Sequence, residues 1–189
     1  LKRFNHQTKS LGVLLNGERG SGKTMLSEML AVKSNLPVVK VADYYGGDEF
    51  ISFINNLGSC VLIFDEFDKV YDDLKKTNQL LQVLENSSSY KKLFVLTSNE
   101  ILANKYLVNR PSRIFYKIQF SGLLEKEIKD IIDCTLNNKD FQQELLDVCR
   151  NYSNINYDFI KSLIDEINLF NVSPKEAVKV MNLKDSCVY

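Results

Sequence analysis

The segment GERGSGKT, residues 17–24, follows the apolar run LGVLL, residues 11–15, with one residue between them. It carries three glycines and ends on Lys23 and Thr24. The segment matches G-x-x-x-x-G-K-[ST] in full and lies between a predicted strand and a predicted helix, which is the context that a phosphate-binding loop requires. Glycine permits the backbone angles that turn successive N–H groups toward a polyphosphate, and a helix N-terminus adds the positive end of its dipole. The stretch therefore predicts a nucleotide-binding loop in an α/β fold.

The polar side chains of this loop have assignable roles in binding ATP. We predict that Lys23 neutralises the β- and γ-phosphate oxygens and that Thr24 offers its hydroxyl to Mg²⁺. The alternative is a chance glycine-rich turn, which would need neither the full motif nor its strand–helix context. The predicted nucleotide-binding residues are Gly17, Glu18, Arg19, Gly20, Ser21, Gly22, Lys23, Thr24 and Met25.

A second segment, VLIFDEFD at residues 61–68, brings acidic residues to the end of a predicted strand. In open α/β sheets ligands bind at the carboxyl ends of the strands, where Asp65 and Glu66 fall. Asp65 suits Mg²⁺, which prefers one or two carboxylates together with phosphate oxygens. Glu66 is predicted to be the general base that polarises an attacking water. The alternative is a pair of solvated acids, and Asp68 is interpreted as a helix-entry acid.

Two further segments carry candidate catalytic groups. LFVLTSNE, residues 93–100, ends a predicted strand near Asn99, whose amide is predicted to orient the water near the γ-phosphate. NRPSRI, residues 109–114, places Arg110 and Arg113 around a proline just before the last predicted strand. Exposed arginines commonly serve solubility alone, but in a ring an arginine at a subunit edge can reach the neighbour's γ-phosphate as a finger.

Hydrophobic periodicity divides the chain into two parts. Strand-like and helical patterns alternate up to residue 120, which predicts an α/β fold with a parallel sheet and helical crossovers. The first four strand-like runs are continuously apolar, as expected of strands covered on both faces. The five runs are residues 11–15, 38–41, 61–64, 93–97 and 114–120. The first helical pattern repeats its apolar residues on one face, formed by Met25, Leu26, Met29 and Leu30.

The remainder of the chain, residues 121–189, shows four helical patterns and no strand-like run. The last pattern opens at Ser173, which is followed by a proline and a capping-box glutamate. We therefore predict a core domain over residues 1–120 and a small α-helical domain over residues 121–189.

Composition narrows the class of protein. Lys+Arg and Asp+Glu both count 24, so no excess of basic residues indicates nucleic-acid binding. A local basic patch on the folded chain remains the alternative. The four cysteines form no C-x-x-C pair and the chain has one histidine, which argues against zinc and for reduced, mostly buried thiols. No apolar run approaches the roughly 18 residues of a membrane span, and the polar start does not resemble a signal peptide. We expect a cytoplasmic protein, and the absence of an initiator Met favours a fragment.

Taken in order, these segments resemble the motifs of the AAA+ ATPases, a superfamily of P-loop NTPases, and within it the AAA group in the narrow sense. LGVLLNGERGSGKT resembles Walker A, VLIFDEFDKV Walker B, VLTSN sensor 1 and NRPSRI the arginine-finger box. The helical remainder from GLLEKEIKDIIDC resembles the lid. The resemblance implies a five-stranded core, ATP and Mg²⁺ as ligands, and a homo-oligomeric ring, usually a hexamer, with ATP sites shared between neighbours. It also favours Arg110 over Arg113, because the family's finger more often matches the first arginine of such a box.

Some features depart from the family pattern. Glu18 and Arg19 replace the apolar or proline pair usual in its P-loop. The third lid helix contains no convincing sensor 2 arginine, and Lys161 is the only nearby cation. Tyr44 and Tyr45, before two glycines, resemble the aromatic-x-Gly pore loop of protein unfoldases. A glycine turn with locally packed tyrosines is the equal alternative for that segment.

Three functions follow from the sequence. The leading prediction is an ATPase that hydrolyses ATP to ADP and phosphate and remodels a protein or protein complex. The second shares this chemistry but acts on DNA, as helicase loaders and clamp loaders do. The third is a scaffold that binds ATP, assembles and barely hydrolyses it. Zero net charge and the tyrosine–glycine segment favour a protein partner, and no membrane is indicated.

Overall fold

The computed structural model describes residues 1–85, 89–99, 113–152 and 155–183. Contacts divide the chain into two compact units. The first contains Leu1–Arg19 and Lys23–Phe120, and the second contains Gly20–Gly22 and Ser121–Tyr189.

The first unit is built on a five-stranded sheet whose strands all run parallel. The strand order is β2-β3-β4-β1-β5, so β3, β4 and β1 are central and β2 and β5 lie at the edges. The five-stranded parallel sheet predicted from the sequence is confirmed. The strands are β1 (Leu11–Gly17), β2 (Val38–Val41), β3 (Cys60–Phe64), β4 (Lys92–Ser98) and β5 (Tyr116–Phe120).

Helices pack on both faces of this sheet, which explains why the central strands are continuously apolar. One face carries a core in which Phe50 and Leu80 pack with Leu62 and Phe94. On the other face Phe4 and Ala31 pack with Val61 and Val95. The helices in the described part of this unit are α1 (Lys2–His6), α2 (Lys23–Ser34), α3 (Gly47–Asn56), α4 (Phe67–Val70) and α5 (Leu74–Glu85).

Two local predictions were wrong. The run at residues 38–41 was expected to be covered on both faces, but as an edge strand it buries only Val41 fully. In α2 the fully buried positions are Lys23, Ser27 and Ala31. Met25 and Met29, expected on the apolar face, are each 42% exposed, because the buried residues lie two positions away from them along the helix. The helix α1 was not predicted, since its short polar segment lacks periodicity.

The second unit contains four α-helices and one 3₁₀ turn in its described part, in agreement with the helical patterns. Its core packs Ile132, Leu145 and Leu163 together with Ala177 of the last helix. That helix begins as its sequence indicates, because the Ser173 hydroxyl accepts a hydrogen bond from the Glu176 N–H at 3.3 Å. The elements are α6 (Glu125–Thr135), a 3₁₀ helix (Lys139–Phe141), α7 (Gln142–Arg150), α8 (Tyr157–Phe170) and α9 (Pro174–Val180).

Cys60 and Cys149 are buried free thiols and Cys134 is an exposed one, while Cys187 lies outside the described residues. None of the helices in the described part of the chain combines the length and the apolarity that crossing a membrane requires.

Candidate active site

The predicted phosphate-binding loop occupies the turn between β1, which ends at Gly17, and α2, which begins at Lys23. Gly17, Gly20 and Gly22 all have positive φ angles, of 147°, 74° and 96°. Residues with a Cβ rarely adopt such angles, so the glycines permit this path of the chain. A Cβ at Gly17 would also meet the carbonyl oxygen of Phe120 at 2.3 Å, which excludes a side chain there.

Lys23 is buried although it carries a charge, with 6% of its surface exposed. Its ammonium donates to the carbonyl oxygens of Gly17, at 2.8 Å, and Glu18, at 2.6 Å. Burial lowers the pKa of Lys23 below its usual value, and the nearby carboxylates act in the opposite direction. The loop therefore holds a cation against its own backbone. The side chains of Glu18 and Arg19 are exposed, as are those of Thr24 and Met25.

The carboxylate of Asp65 meets the end of the loop. The Thr24 hydroxyl donates to Asp65 Oδ1 at 3.2 Å, and the Lys40 ammonium lies 3.5 Å from Asp65 Oδ2. A hydroxyl and a carboxylate oxygen at this separation are hard oxygen donors of the kind that Mg²⁺ takes. Within the described residues, three or more His, Cys, Asp or Glu side chains nowhere come together to hold a metal. This donor set fits Mg²⁺, which binds through one or two carboxylates plus phosphate and water, and not a metal that needs a protein cage.

Glu66 follows Asp65 in an unusual backbone conformation, the left-handed region, with φ and ψ both 47°. Its Oε1 accepts a hydrogen bond from the Asn99 amide at 2.7 Å, and its Oε2 accepts one from the Lys69 ammonium. These two bonds, first that from Lys69 and then that from Asn99, lower the pKa of Glu66 below its usual value. The carboxylate is thus ionised and oriented, with a neutral amide on one oxygen and a cation on the other.

A buried hydroxyl connects the two acids. Thr97 Oγ1 donates to Asp65 Oδ1 at 2.6 Å and accepts from the Glu66 backbone N–H at 2.8 Å. The backbone N–H of Asn99, two residues further on, donates to Asp68 Oδ2 at 3.3 Å. The segment after β3 and the end of β4 are therefore joined by several hydrogen bonds at one edge of the sheet.

Of the two candidate arginines, the structure describes Arg113 but not Arg110. Arg110 lies outside the described residues. Arg113 is 9% exposed, and its Nε donates to Glu85 Oε1 at 2.5 Å. A Cβ at Gly12 would meet the carbonyl oxygen of Arg113 at 1.9 Å, so the backbone before β5 packs directly against β1. The guanidinium of Arg113 is thus engaged within the first unit.

The tyrosines that resemble a pore loop contact the first unit locally. The Tyr44 ring lies edge-on to that of Tyr71, with centroids 5.6 Å apart, and the Tyr45 ring stacks on that of Phe50 at 5.5 Å. The Tyr71 hydroxyl donates to the Tyr45 carbonyl at 2.9 Å. Tyr45 nevertheless remains 53% exposed.

Sequence reasoning missed three residues around the acids, namely Lys40, Lys69 and Thr97. Both lysines are half-exposed and belong to ordinary polar positions of β2 and α4. Thr97 alone carried a signal, because it is a hydroxyl residue inside a buried run that ends beside the site.

The comparison with protein families identifies the class to which this arrangement belongs. Residues 13–122, more than half of the chain, match the ATPase family associated with various cellular activities (AAA). The chain belongs to the AAA family. AAA+ ATPases bind nucleotide, generally with Mg²⁺, and commonly assemble into rings. A comparison with curated proteins gave no significant match.

Proposed function

We propose that this AAA chain binds Mg-ATP, hydrolyses it to ADP and phosphate, and uses the cycle to remodel a protein or protein complex. One observation carries the proposal. The hydroxyl that ends the P-loop, the carboxylate of Asp65 and the pair formed by Glu66 and Asn99 are linked by hydrogen bonds at one sheet edge. These are the groups that phosphoryl transfer to water needs, since its catalysis is mostly positioning and charge stabilisation.

Phosphate binding is assigned to residues 17–25, with Lys23 as the fixed cation. Two of its acceptors are the neutral carbonyl oxygens of Gly17 and Glu18, whereas phosphate oxygens carry negative charge and form stronger, charge-assisted bonds with an ammonium. Desolvation of Lys23 strengthens that preference, because a buried charge gains more from a charged partner than an exposed one. ATP is therefore expected to draw the ammonium from the loop carbonyls.

Metal binding is assigned to Thr24 and Asp65. When bound, Mg²⁺ supplies positive charge that offsets the charge on the phosphate oxygens. Asp65 accepts hydrogen bonds on Oδ1 and faces Lys40 through Oδ2, so its carboxylate is held in one orientation in the chain itself.

Glu66 is assigned as the general base and Asn99 as the group that orients the water. The carboxylate is ionised and retains lone pairs beyond those used by Asn99 and Lys69, so it can accept a proton from water. An amide can donate to one group and accept from another, which suits Asn99 to hold both the base and its water.

The unit divisions and the assembly complete the proposal. We assign the ATPase core to residues 1–120 and the lid to residues 121–189. The finger is assigned to Arg110, acting on the ATP of a neighbour in a ring, usually a hexamer. Arg113 is a weaker candidate because its guanidinium is paired with Glu85 in the first unit.

The variant Glu66→Gln tests the proposal. It keeps the size of the side chain and one accepting oxygen but removes the base, so turnover should fall by about 10²- to 10⁴-fold while ATP stays bound. Glu28→Gln, at an exposed position of α2, is the matched control and should hydrolyse ATP at the parent rate. Phosphate release measures turnover, and calorimetry with ATP measures binding.

The same assays, repeated with DNA or an unfolded protein added, separate the alternative functions. A parent chain that binds ATP but releases no phosphate would favour an assembly scaffold. Equal rates for the parent and Glu66→Gln would remove Glu66 as the base. Turnover stimulated by DNA but not by protein would favour a DNA-directed ATPase.

A further inference from the structure

Thr97 occupies a central and fully buried position at the end of β4. This strand pairs with β1 and β3, and Thr97 itself is in register with Leu15 of β1. Its exposed fraction is 0%. A β-branched residue in a strand has a restricted side-chain torsion, so its hydroxyl is held in one direction.

That hydroxyl uses both of its hydrogen-bonding functions on the acidic segment. The O–H donates to Asp65 Oδ1 at 2.6 Å, and the oxygen accepts from the Glu66 backbone N–H at 2.8 Å. Both distances lie within the ordinary range for bonds of their types. Lys40 also contacts Asp65, but at 3.5 Å and from a half-exposed side chain, and it does not reach Glu66 in the described contacts. Thr97 is thus a buried hydrogen-bonding contact that the two acids share.

The bond to the Glu66 N–H bears on the backbone. Glu66 has a φ angle of 47°, a left-handed conformation that residues other than glycine and asparagine seldom adopt. A chain holds such a conformation only where its surroundings fix it. By accepting from this N–H, Thr97 stabilises the turn that directs the Glu66 side chain toward Asn99.

We propose that Thr97 is a positioning residue for ATP hydrolysis, which fixes the Asp65 carboxylate and the left-handed turn at Glu66 through one hydroxyl. The inference rests on the proposed function, in which Asp65 binds the metal and Glu66 is the base. It predicts that loss of the hydroxyl disturbs both acids together, whereas loss of the methyl group leaves them in place.

The test compares Thr97→Val, which removes the hydroxyl at nearly constant shape, with Thr97→Ser, which keeps it. Thr77→Val is the matched control, because Thr77 is another buried threonine of this unit whose hydroxyl donates to the Tyr71 carbonyl, at 3.1 Å. The first readout is hydrogen exchange at the Glu66 amide in the protein without nucleotide. The second is the ATP turnover, separated into kcat and KM.

In Thr97→Val the Glu66 amide should exchange up to about tenfold faster, as loss of one hydrogen bond implies. The kcat should fall by about 10- to 100-fold, the usual effect of removing a group that orients a metal ligand, with a smaller change in KM. Thr97→Ser should keep both quantities close to the parent values. Thr77→Val should change neither the exchange rate of the Glu66 amide nor kcat to this degree.

Several results would overturn the inference. Unchanged exchange at Glu66 in Thr97→Val would show that the hydroxyl does not hold the turn. Faster exchange with an unchanged kcat, or an equal loss of kcat in Thr77→Val, would reduce Thr97 to a structural role. If the parent chain hydrolyses no ATP, the proposed function fails instead, and the exchange measurement still decides whether Thr97 holds the turn.

Discussion

Lys23 is the residue in which burial and charge conflict most directly. Its ammonium is enclosed in the loop, where it donates to carbonyl oxygens at 2.8 and 2.6 Å, and burial lowers its pKa. A structural lysine could be replaced by an apolar residue with little loss, since burial of a charge costs free energy. The burial of the Lys23 ammonium is explained if the cation binds an anionic ligand.

Lys23→Ala should therefore weaken ATP binding by about 10- to 100-fold, the loss expected for one hydrogen bond to a charged group. Lys33→Ala, at an exposed position of the same helix, is the control and should bind as the parent does. Titration calorimetry with ATP measures both. Equal affinity for the parent and Lys23→Ala would mean that the loop does not bind phosphate through this cation.

The residues around the acids show how far sequence could predict the site. Asp65, Glu66 and Asn99 were found because they follow buried runs, and strand ends of a parallel sheet share one edge. Lys40 and Lys69 could not be found, because their contacts depend on side-chain directions in β2 and α4. The spacing of residues in the sequence does not predict those directions. The left-handed turn at Glu66 was also unforeseen, since glutamate carries no preference for that conformation.

Among the elements, β2 and the segment after it differ most from the sequence-based expectation. The run VVKV is mostly apolar, as a central strand is, but the order of the sheet puts it at an edge. Strand order cannot be predicted from a local sequence pattern. The edge position leaves a groove of about 460 Å³ along β2 and α3, lined among others by Val39, Tyr45 and Phe53. Tyr45 thus presents an aromatic face beside an open strand edge.

If the tyrosine–glycine segment grips a polypeptide, Tyr45 is the better placed of the two tyrosines. Tyr44 is engaged by Tyr71 and by the Lys76 ammonium, 5.5 Å from its ring centroid, whereas Tyr45 is half-exposed. Tyr45→Ala should reduce the stimulation of ATP turnover by an unfolded model protein by roughly two- to tenfold, the value of one aromatic contact. Tyr90→Ala, another exposed tyrosine, is the control. Equal stimulation of Tyr45→Ala and the parent would favour the local-packing alternative.

For the whole molecule, the balance of 24 basic and 24 acidic residues could be read from the sequence, and so could the lack of strand-like runs in residues 121–189. A parallel sheet with helical crossovers followed from the alternation of patterns, because few topologies satisfy short, right-handed connections. The proposed completion of the ATP site by a neighbouring subunit, in contrast, cannot be predicted from such patterns. As proposed here, it would involve a surface contacted by a second chain, so it has to be tested in solution.

If Arg110 acts across an interface, ATP turnover should rise steeply with protein concentration, because a lone subunit lacks one catalytic group. Arg110→Ala should lose about 10³- to 10⁵-fold in turnover, as for other NTPase fingers, and should still bind ATP through its own P-loop. Arg113→Ala should instead lower thermal stability, since it breaks the pair with Glu85.

Mixing two variants, at an ATP concentration too low to saturate Lys23→Ala, gives the sharper test of a shared site. In a mixed ring, some interfaces join the intact P-loop of an Arg110→Ala subunit to the intact arginine of a Lys23→Ala subunit, so part of the activity should return. Lys23→Ala mixed with Glu66→Gln is the control, because both changes damage the subunit's own site and no interface of that mixture is complete. Phosphate release from each mixture, measured above the concentration at which the parent becomes active, distinguishes the cases. Turnover that is independent of concentration, with no recovery on mixing, would mean that each ATP site is completed within a single chain.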